Sequence, residues 1–242
     1  MGKLGEAWEE NAASWILWAR APDHDSYWLF HRDVFLELVP EPAGRTLDLG
    51  CGEGRLPRDL AARGHDVVGV DSSPTMIAAA SEAAPEMELH VADAADLPFT
   101  DASFALVVAF MSLQDVDDLP GAVREAARVL APGGRLCLAI VHPLSSAGSF
   151  ETRTATSRFA IEGSYLDESP TDELAERDGL AMRFVSRHRP LGAYTEALAE
   201  SGLLIERLCE VRLPESMFSG GHSARWTRIP LFLHLRALRP AV

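Results

Sequence analysis

From Arg45 onward, short runs of aliphatic and β-branched residues alternate with alanine-rich segments, a texture that predicts a parallel sheet covered by helices on both faces. The runs that read as strands are Thr46–Leu49, Asp66–Val70, Met87–Val91, Phe104–Phe110 and Gly134–Val141, with helices at Arg55–Arg63, Ser73–Ala84 and Leu119–Leu130 between them. Pro74 suits a first helical turn, and Pro132-Gly133-Gly134 stops the third helix. Ahead of this pattern, Trp8 to Val39 spaces its aromatics near the helical period and predicts two or three short helices. Beyond it, Leu191–Ser201 reads as a helix closed by Gly202, and Leu203–Val211 and Pro230–Leu238 as strands. The stretch from Pro143 to Arg187 is weakly periodic and rich in Ser, Thr and charge. A structureless loop of that length is uncommon, so an insertion with its own helix or hairpin is expected there.

Composition narrows the class. With 242 residues, 47% hydrophobic and 24% charged, the chain suits one α/β domain with a substantial core. The longest apolar run, Phe104 to Met111, is far short of the ~20 residues of a membrane helix, and the first residues carry no apolar signal core, so a cytoplasmic protein without a membrane partner is expected. A net charge of −14 and the lack of a basic block disfavour nucleic acid as a partner. Cys51, Cys137 and Cys209 are widely spaced in apolar surroundings, which reads as buried thiols, not as a metal site or a disulfide frame.

The candidate chemistry begins where the first strand ends, at Leu47-Asp48-Leu49-Gly50-Cys51-Gly52-Glu53-Gly54. Glycines at such a turn let backbone approach a ligand and take positive φ. A dinucleotide turn wants G-x-G-x-x-G; here the spacing is G-x-G-x-G and an acid, Asp48, stands beside it. That carboxylate would repel a diphosphate and welcome an ammonium or sulfonium, so the turn reads as a socket for a cationic ligand and disfavours a nicotinamide oxidoreductase. Two more acids, Asp71 and Asp93, fall at the ends of the second and third strands. Each alone also fits a local role, Asp71 as a cap ahead of Ser73-Pro74 and Asp93 as a turn residue.

Taken together, Asp48-Leu49-Gly50-Cys51-Gly52-Glu53-Gly54, Asp71 in Val70-Asp71 and Asp93 in Val91-Ala92-Asp93-Ala94 resemble the motifs of class I S-adenosylmethionine-dependent methyltransferases that act on small molecules. The likeness runs from about Arg45 to Arg212, the insertion excepted, and includes Arg128-Val129-Leu130-Ala131-Pro132-Gly133-Gly134; Ala105 departs from it where the family usually has an Asp. It implies a Rossmann-like α/β fold: a mixed seven-stranded sheet with helices on both faces and an antiparallel last hairpin. The whole of 1–242 then forms one domain, with 1–40 as an N-terminal helical lid and 143–187 as an inserted cap. It implies S-adenosylmethionine as cofactor, with Asp71 gripping the ribose hydroxyls, Asp93 reading the adenine amino group and the Ala94 amide serving a ring nitrogen. Asp48, Gly50, Cys51, Gly52, Ser72, Met76 and Phe110 complete the expected cofactor set, with no metal.

The implied reaction is methyl transfer to a small-molecule acceptor, at oxygen or nitrogen, by a monomer or homodimer. The alternative is a protein that binds the cofactor but catalyses another reaction or serves as a regulatory module. His142, after the fifth strand, is the expected general base, and its other reading is a structural imidazole ahead of Pro143. His188, Tyr165, Tyr27 and His24 are weaker candidates at the reaction mouth or pocket edge. Arg20 and Arg55 are candidates for the cofactor's methionyl carboxylate, or else solvated surface arginines.

Overall fold

A computed structural model describes residues 2–213 and 224–241. The N-terminal aromatic segment forms one long helix, α1 (Lys3–Arg20), then a single wide helical turn at Tyr27–His31 that runs into α2 (Arg32–Leu36). In chain order there follow β1 (Arg45–Leu49), α3 (Arg55–Ala62), β2 (Asp66–Asp71), α4 (Pro74–Ala83), β3 (Glu88–Val91), β4 (Phe104–Phe110), α5 (Leu119–Val129) and β5 (Leu130–Val141). Helix starts follow their local chemistry. Ser73 accepts from the Met76 amide with Pro74 at the first position, and Asp118 accepts from Gly121 ahead of α5.

The insertion holds a one-turn helix, α6 (Pro143–Ser146), and two hairpins, β6 (Gly148–Phe150) with β7 (Phe159–Ile161) and β8 (Ser169–Arg177) with β9 (Leu180–His188). Helix α7 (Leu191–Glu200) and strands β10 (Leu204–Val211) and β11 (Phe232–Leu238) follow. Seven strands make the main sheet in the order β10-β11-β5-β4-β1-β2-β3. The five strands from β1 to β5 pair in parallel, and β11 lies antiparallel to both β5 and β10. This is the Rossmann-like mixed sheet expected from the sequence.

Alternation along the strands divides the core. Leu47, Leu49 and Val107 face α5 and α7 with Ala122, Tyr194 and Leu198, while Leu106, Val108 and Phe110 face the other way, toward Tyr27, Phe35, Leu56 and Leu60. A fully buried aliphatic or aromatic side chain contributes roughly 1.5–3 kcal/mol. A slip of one residue would turn both sets out at once, so the register is held firmly.

The insertion has the helix and hairpins expected of it, while two other expectations shift. The N-terminal region gathers into one main helix instead of several short ones. Strand β5 begins at Leu130, ahead of the predicted Gly134, because Gly133 takes φ +81° and its amide bonds to the Arg239 carbonyl at 2.8 Å, which keeps the turn attached to the sheet.

Candidate functional site

The carboxyl ends of β1, β2 and β4 open onto a cavity of about 910 Å³, the place where open α/β sheets take ligands. Strand β1 runs out into the glycine turn, where Gly50 and Gly52 have φ of +79° and +54°. The Gly50 and Cys51 amides donate to the Val70 carbonyl at 2.8 and 2.9 Å, and the Gly52 amide donates to Asp71 Oδ2 at 2.8 Å. No side chain fits at Gly50, since a Cβ there would lie 2.4 Å from Ser112 Cβ, and the Ser112 hydroxyl bonds back to the Leu49 carbonyl at 2.5 Å. Asp71 Oδ1 accepts from the Ser73 amide at 2.9 Å, so both carboxylate oxygens are oriented by backbone and each keeps a further lone pair.

The wall is acidic and under-satisfied. Asp48 is 1% exposed, and its Oδ1 has no partner among the described residues. Burial pushes its pKa well above the usual range and the Asp71 charge adds to the shift. Asp115, on the same cavity, is pushed up by burial, with Arg189 working against the shift and Asp71 for it. Burial also raises Asp71 against the downward pull of its amide bonds. Acids so placed favour a cation between them. Gln114 Oε1 and Trp8 Nε1 are further buried, unpartnered atoms of residues on this wall. The Asp48 and Gln114 oxygens are free acceptors and the Trp8 indole N–H a free donor, which, beside a turn with no room for side chains, fit a ligand with positive charge and hydroxyl groups. Cys51 is no nucleophile: burial, then Asp71 and Asp48, hold its thiol protonated.

Helix α1 closes one side. Its Trp15 and Trp18 each meet Phe184 of β9 edge-on, with ring centroids 6.0 Å apart. Glu9 ties α1 to the start of α4 by accepting from the Ser73 hydroxyl, from the Thr75 hydroxyl at 2.6 Å and from the Thr75 amide at 3.3 Å. Arg55 is not a surface residue: it is ion-paired with Asp25 and stacked over the Trp15 and Tyr27 rings at 4.9 Å. Arg20 donates to Glu53 and to the Ala79 carbonyl, both at 3.1 Å. Both arginines are engaged within the protein.

Most expected cofactor residues meet here. Asp48, Gly50, Cys51, Gly52 and Asp71 line the cavity, and so do Ser72, Met76, Ala94 and Phe110. Asp93 does not: it is exposed in its turn with Oδ1 accepting from the Ala95 amide at 3.0 Å, while its neighbours Ala92 and Ala94 reach the wall. His142 does not either. It caps α6, its Nδ1 accepting from the Leu144 amide at 3.0 Å, and its Nε2 faces Glu210 at 3.3 Å, outside the cavity. Burial lowers its pKa and Glu210 works upward.

The weaker candidates divide in the same way. His188 is held between Ser146 Oγ at 2.7 Å and the Tyr165 carbonyl at 3.0 Å, and the Tyr165 hydroxyl accepts from Leu191. Tyr27 is wholly buried and donates to Asp59 at 2.6 Å. His24 lines the cavity with its ring nitrogens 2.7 Å from the Pro22 carbonyl and 3.2 Å from that of Arg177. Asp115, Glu9 and Asp25 were not foreseen, because the partners that give them meaning are distant in sequence. No group of His, Cys, Asp and Glu suited to a metal occurs among the described residues, and no helix there is long and apolar enough to cross a membrane.

An open sheet in this strand order, with a glycine turn and buried acids at its strand ends, defines a domain of the class I S-adenosylmethionine-dependent methyltransferase type. Residues 47–138 match the methyltransferase domain family. Over 111 residues the chain is 38% identical to a demethylmenaquinone methyltransferase of Beutenbergia cavernae, a stretch covering 46% of each chain. Over 115 residues it is 40% identical to the 27-O-demethylrifamycin SV methyltransferase of Amycolatopsis mediterranei, covering 44% of this chain and 42% of that one. The matches thus span less than half the length of these curated relatives. A solved S-adenosylmethionine-dependent methyltransferase from Mesorhizobium loti aligns with a TM-score of 0.72 and 28% identity, covering 90% of this chain and 99% of that one. Residues 47–138 thus form a methyltransferase domain, and the fold that carries it is shared with S-adenosylmethionine-dependent methyltransferases, whose cofactor is S-adenosylmethionine.

Proposed function

We propose that this protein transfers a methyl group from S-adenosylmethionine to a small-molecule acceptor, at oxygen or nitrogen. The observation that carries the reading is Asp48, a buried carboxylate with an unpartnered oxygen beside a left-handed glycine turn. In this reading Asp48, Gly50, Cys51 and Gly52 receive the methionyl end. Asp71 takes the ribose hydroxyls with the lone pairs its amide bonds leave open, and Ser72 adjoins it. Met76 and Ala94 cover the adenine, and Phe110 walls the side toward the acceptor. Residues 1–40 serve as lid and 143–187 as cap of one domain.

Bound S-adenosylmethionine would supply a methyl group activated on a sulfonium, with a neutral thioether as the leaving group. What the chain contributes is placement. The glycine turn and Asp71 fix one reactant, the cap wall and α1 hold the other and exclude water, and such orientation supplies much of the acceleration. No proton transfer is assigned to His142, which caps α6 outside the cavity. An acceptor entering as an anion needs no base, and one entering protonated releases its proton to solvent.

Calorimetry with S-adenosylmethionine and with NAD tests the cofactor, binding of the first alone being expected. Release of S-adenosylhomocysteine across a panel of phenols, amines and acids tests transfer. Cofactor binding with no release across that panel selects the non-transferring alternative.

A further inference from the structure

The cavity continues from the strand ends to a second wall, formed by the segment after α6, by β8 and β9, and by the short helical turn Ala224–Thr227. Arg153, Arg187 and Arg225 stand on it. Arginines buried elsewhere have partners: Arg189 donates to the carbonyls of Leu113 and Val116 at 3.2 and 2.6 Å, and Arg55 is ion-paired with Asp25. Arg187 Nε and Arg225 Nε and Nη1 are buried with no hydrogen-bond partner among the described residues, and the ion pair of Arg187 with Glu168 is long, at 3.8 Å. The acids on this wall do not answer them, since Asp172 is bridged to Arg183 at 2.8 Å and Glu173 is exposed. Arg225 lies over the Phe150 ring at 5.5 Å, and Trp226 meets the same ring edge-on at 4.9 Å.

A guanidinium keeps its charge at any working pH, and its fork matches two oxygens of one anion. On a chain of net charge −14, two half-buried guanidinium groups with unpartnered N–H groups, beside an aromatic pair, are a local inversion of the surroundings. We propose that this wall binds an anionic oxygen group, carboxylate or phosphate, on an aromatic body that packs against Phe150 and Trp226, and that this compound is the methyl acceptor. Its role as acceptor rests on the methyl-transfer reading; the anion site itself rests on the arginines. The cavity is thereby divided, with acids at the strand ends for a cation and arginines on the opposite wall for an anion.

The test is calorimetry on the whole protein with 2-naphthoate, 2-naphthyl phosphate and 2-naphthylmethanol, each with and without S-adenosylhomocysteine. At least one anion is expected to bind tenfold or more tightly than the alcohol, as charge-assisted bonds require. Arg187→Gln and Arg225→Gln should each cut that preference about fivefold or more and leave the affinity for S-adenosylhomocysteine unchanged, which also reports an intact fold; Arg225→Lys should retain part of it. Equal binding of the three probes, no binding of either anion at millimolar concentration, or a preference indifferent to both substitutions overturns the proposal. Failure of S-adenosylhomocysteine to bind counts against the cofactor reading alone, because the probes are also compared without it.

Discussion

The Gly52 amide donates to Asp71 Oδ2 at 2.8 Å, so the carboxylate at the end of β2 also clamps the turn that ends β1. Asp71→Ala should therefore weaken S-adenosylhomocysteine binding by roughly 1.5–3 kcal/mol, the scale of lost charge-assisted bonds, or ten- to a hundredfold in Kd by calorimetry. Asp71→Asn keeps an acceptor oxygen and should recover part of the loss. Unchanged affinity in the alanine variant would remove the ribose assignment.

Gly50 allows no substitution. Its φ of +79° and the 2.4 Å approach of a Cβ to Ser112 act together, so Gly50→Ala should cost about 1–3 kcal/mol in urea unfolding and reduce cofactor binding with it. The same change at Gly133, where a Cβ meets nothing within 4 Å, should cost only the strain of its positive φ and spare binding.

His142 caps α6, its Nε2 faces Glu210, and it does not line the cavity. His142→Ala is expected to lower stability by about 1 kcal/mol, the worth of a helix cap, with kcat unchanged within about threefold. A hundredfold fall in turnover would put the imidazole back into the reaction.

His31 and His234 are stacked in the core, their Nε2 atoms 2.6 Å apart, and both are essentially inaccessible to solvent. Two ring nitrogens at that distance hold one proton between them, so the pair is stable only while at least one ring is neutral. Burial pushes both pKa values down, that of His234 to about 4. The unfolded chain takes up protons near pH 6.5, while the folded chain resists until well below that. This contribution to stability is therefore complete above pH 6.5 and is lost as pH falls, by about 3 kcal/mol for His234 on reaching pH 4. Urea melts at pH 7.5, 6 and 5 should show the decline, and His31→Phe combined with His234→Leu should flatten it. A wild-type profile level between 7.5 and 5 would contradict the assignment.

Glu9 joins α1 to Ser73 and Thr75. Burial works against its charge, but those bonds outweigh it and hold its pKa below the usual value of 4.5. With the folded pKa depressed, the stabilisation is present above about pH 4.5 and fades as pH drops through the lowered value. Glu9→Gln should speed S-adenosylhomocysteine dissociation in stopped-flow fluorescence; an unaltered rate would show that this tie does not hold the lid.

What the chain disclosed in advance follows from the range of each interaction. Strands β1, β2 and β4 and the turn at Gly50 were legible because they rest on local alternation and on glycine's freedom at positive φ. The cavity position of Asp48 and Asp71 was legible because parallel strands of similar length end together. His142 and Asp93 lie outside the cavity lining because sequence fixes a residue's height along a strand end but not the direction of its side chain; the Leu144 and Ala95 amides, close by in the chain, bond to the two side chains. The pairing of Arg55 with Asp25 and the unpartnered Nε of Arg187 were invisible, since each depends on elements that meet only after folding.

The edge-on contact of Trp15 and Trp18 with Phe184 also bears on how the molecule is made. The ribosome releases the indoles of α1 long before it supplies the strand that covers them. Through much of synthesis α1 can rest on Arg55 and on the start of α4, but the side of its indoles that meets Phe184 stays uncovered until the late hairpin arrives.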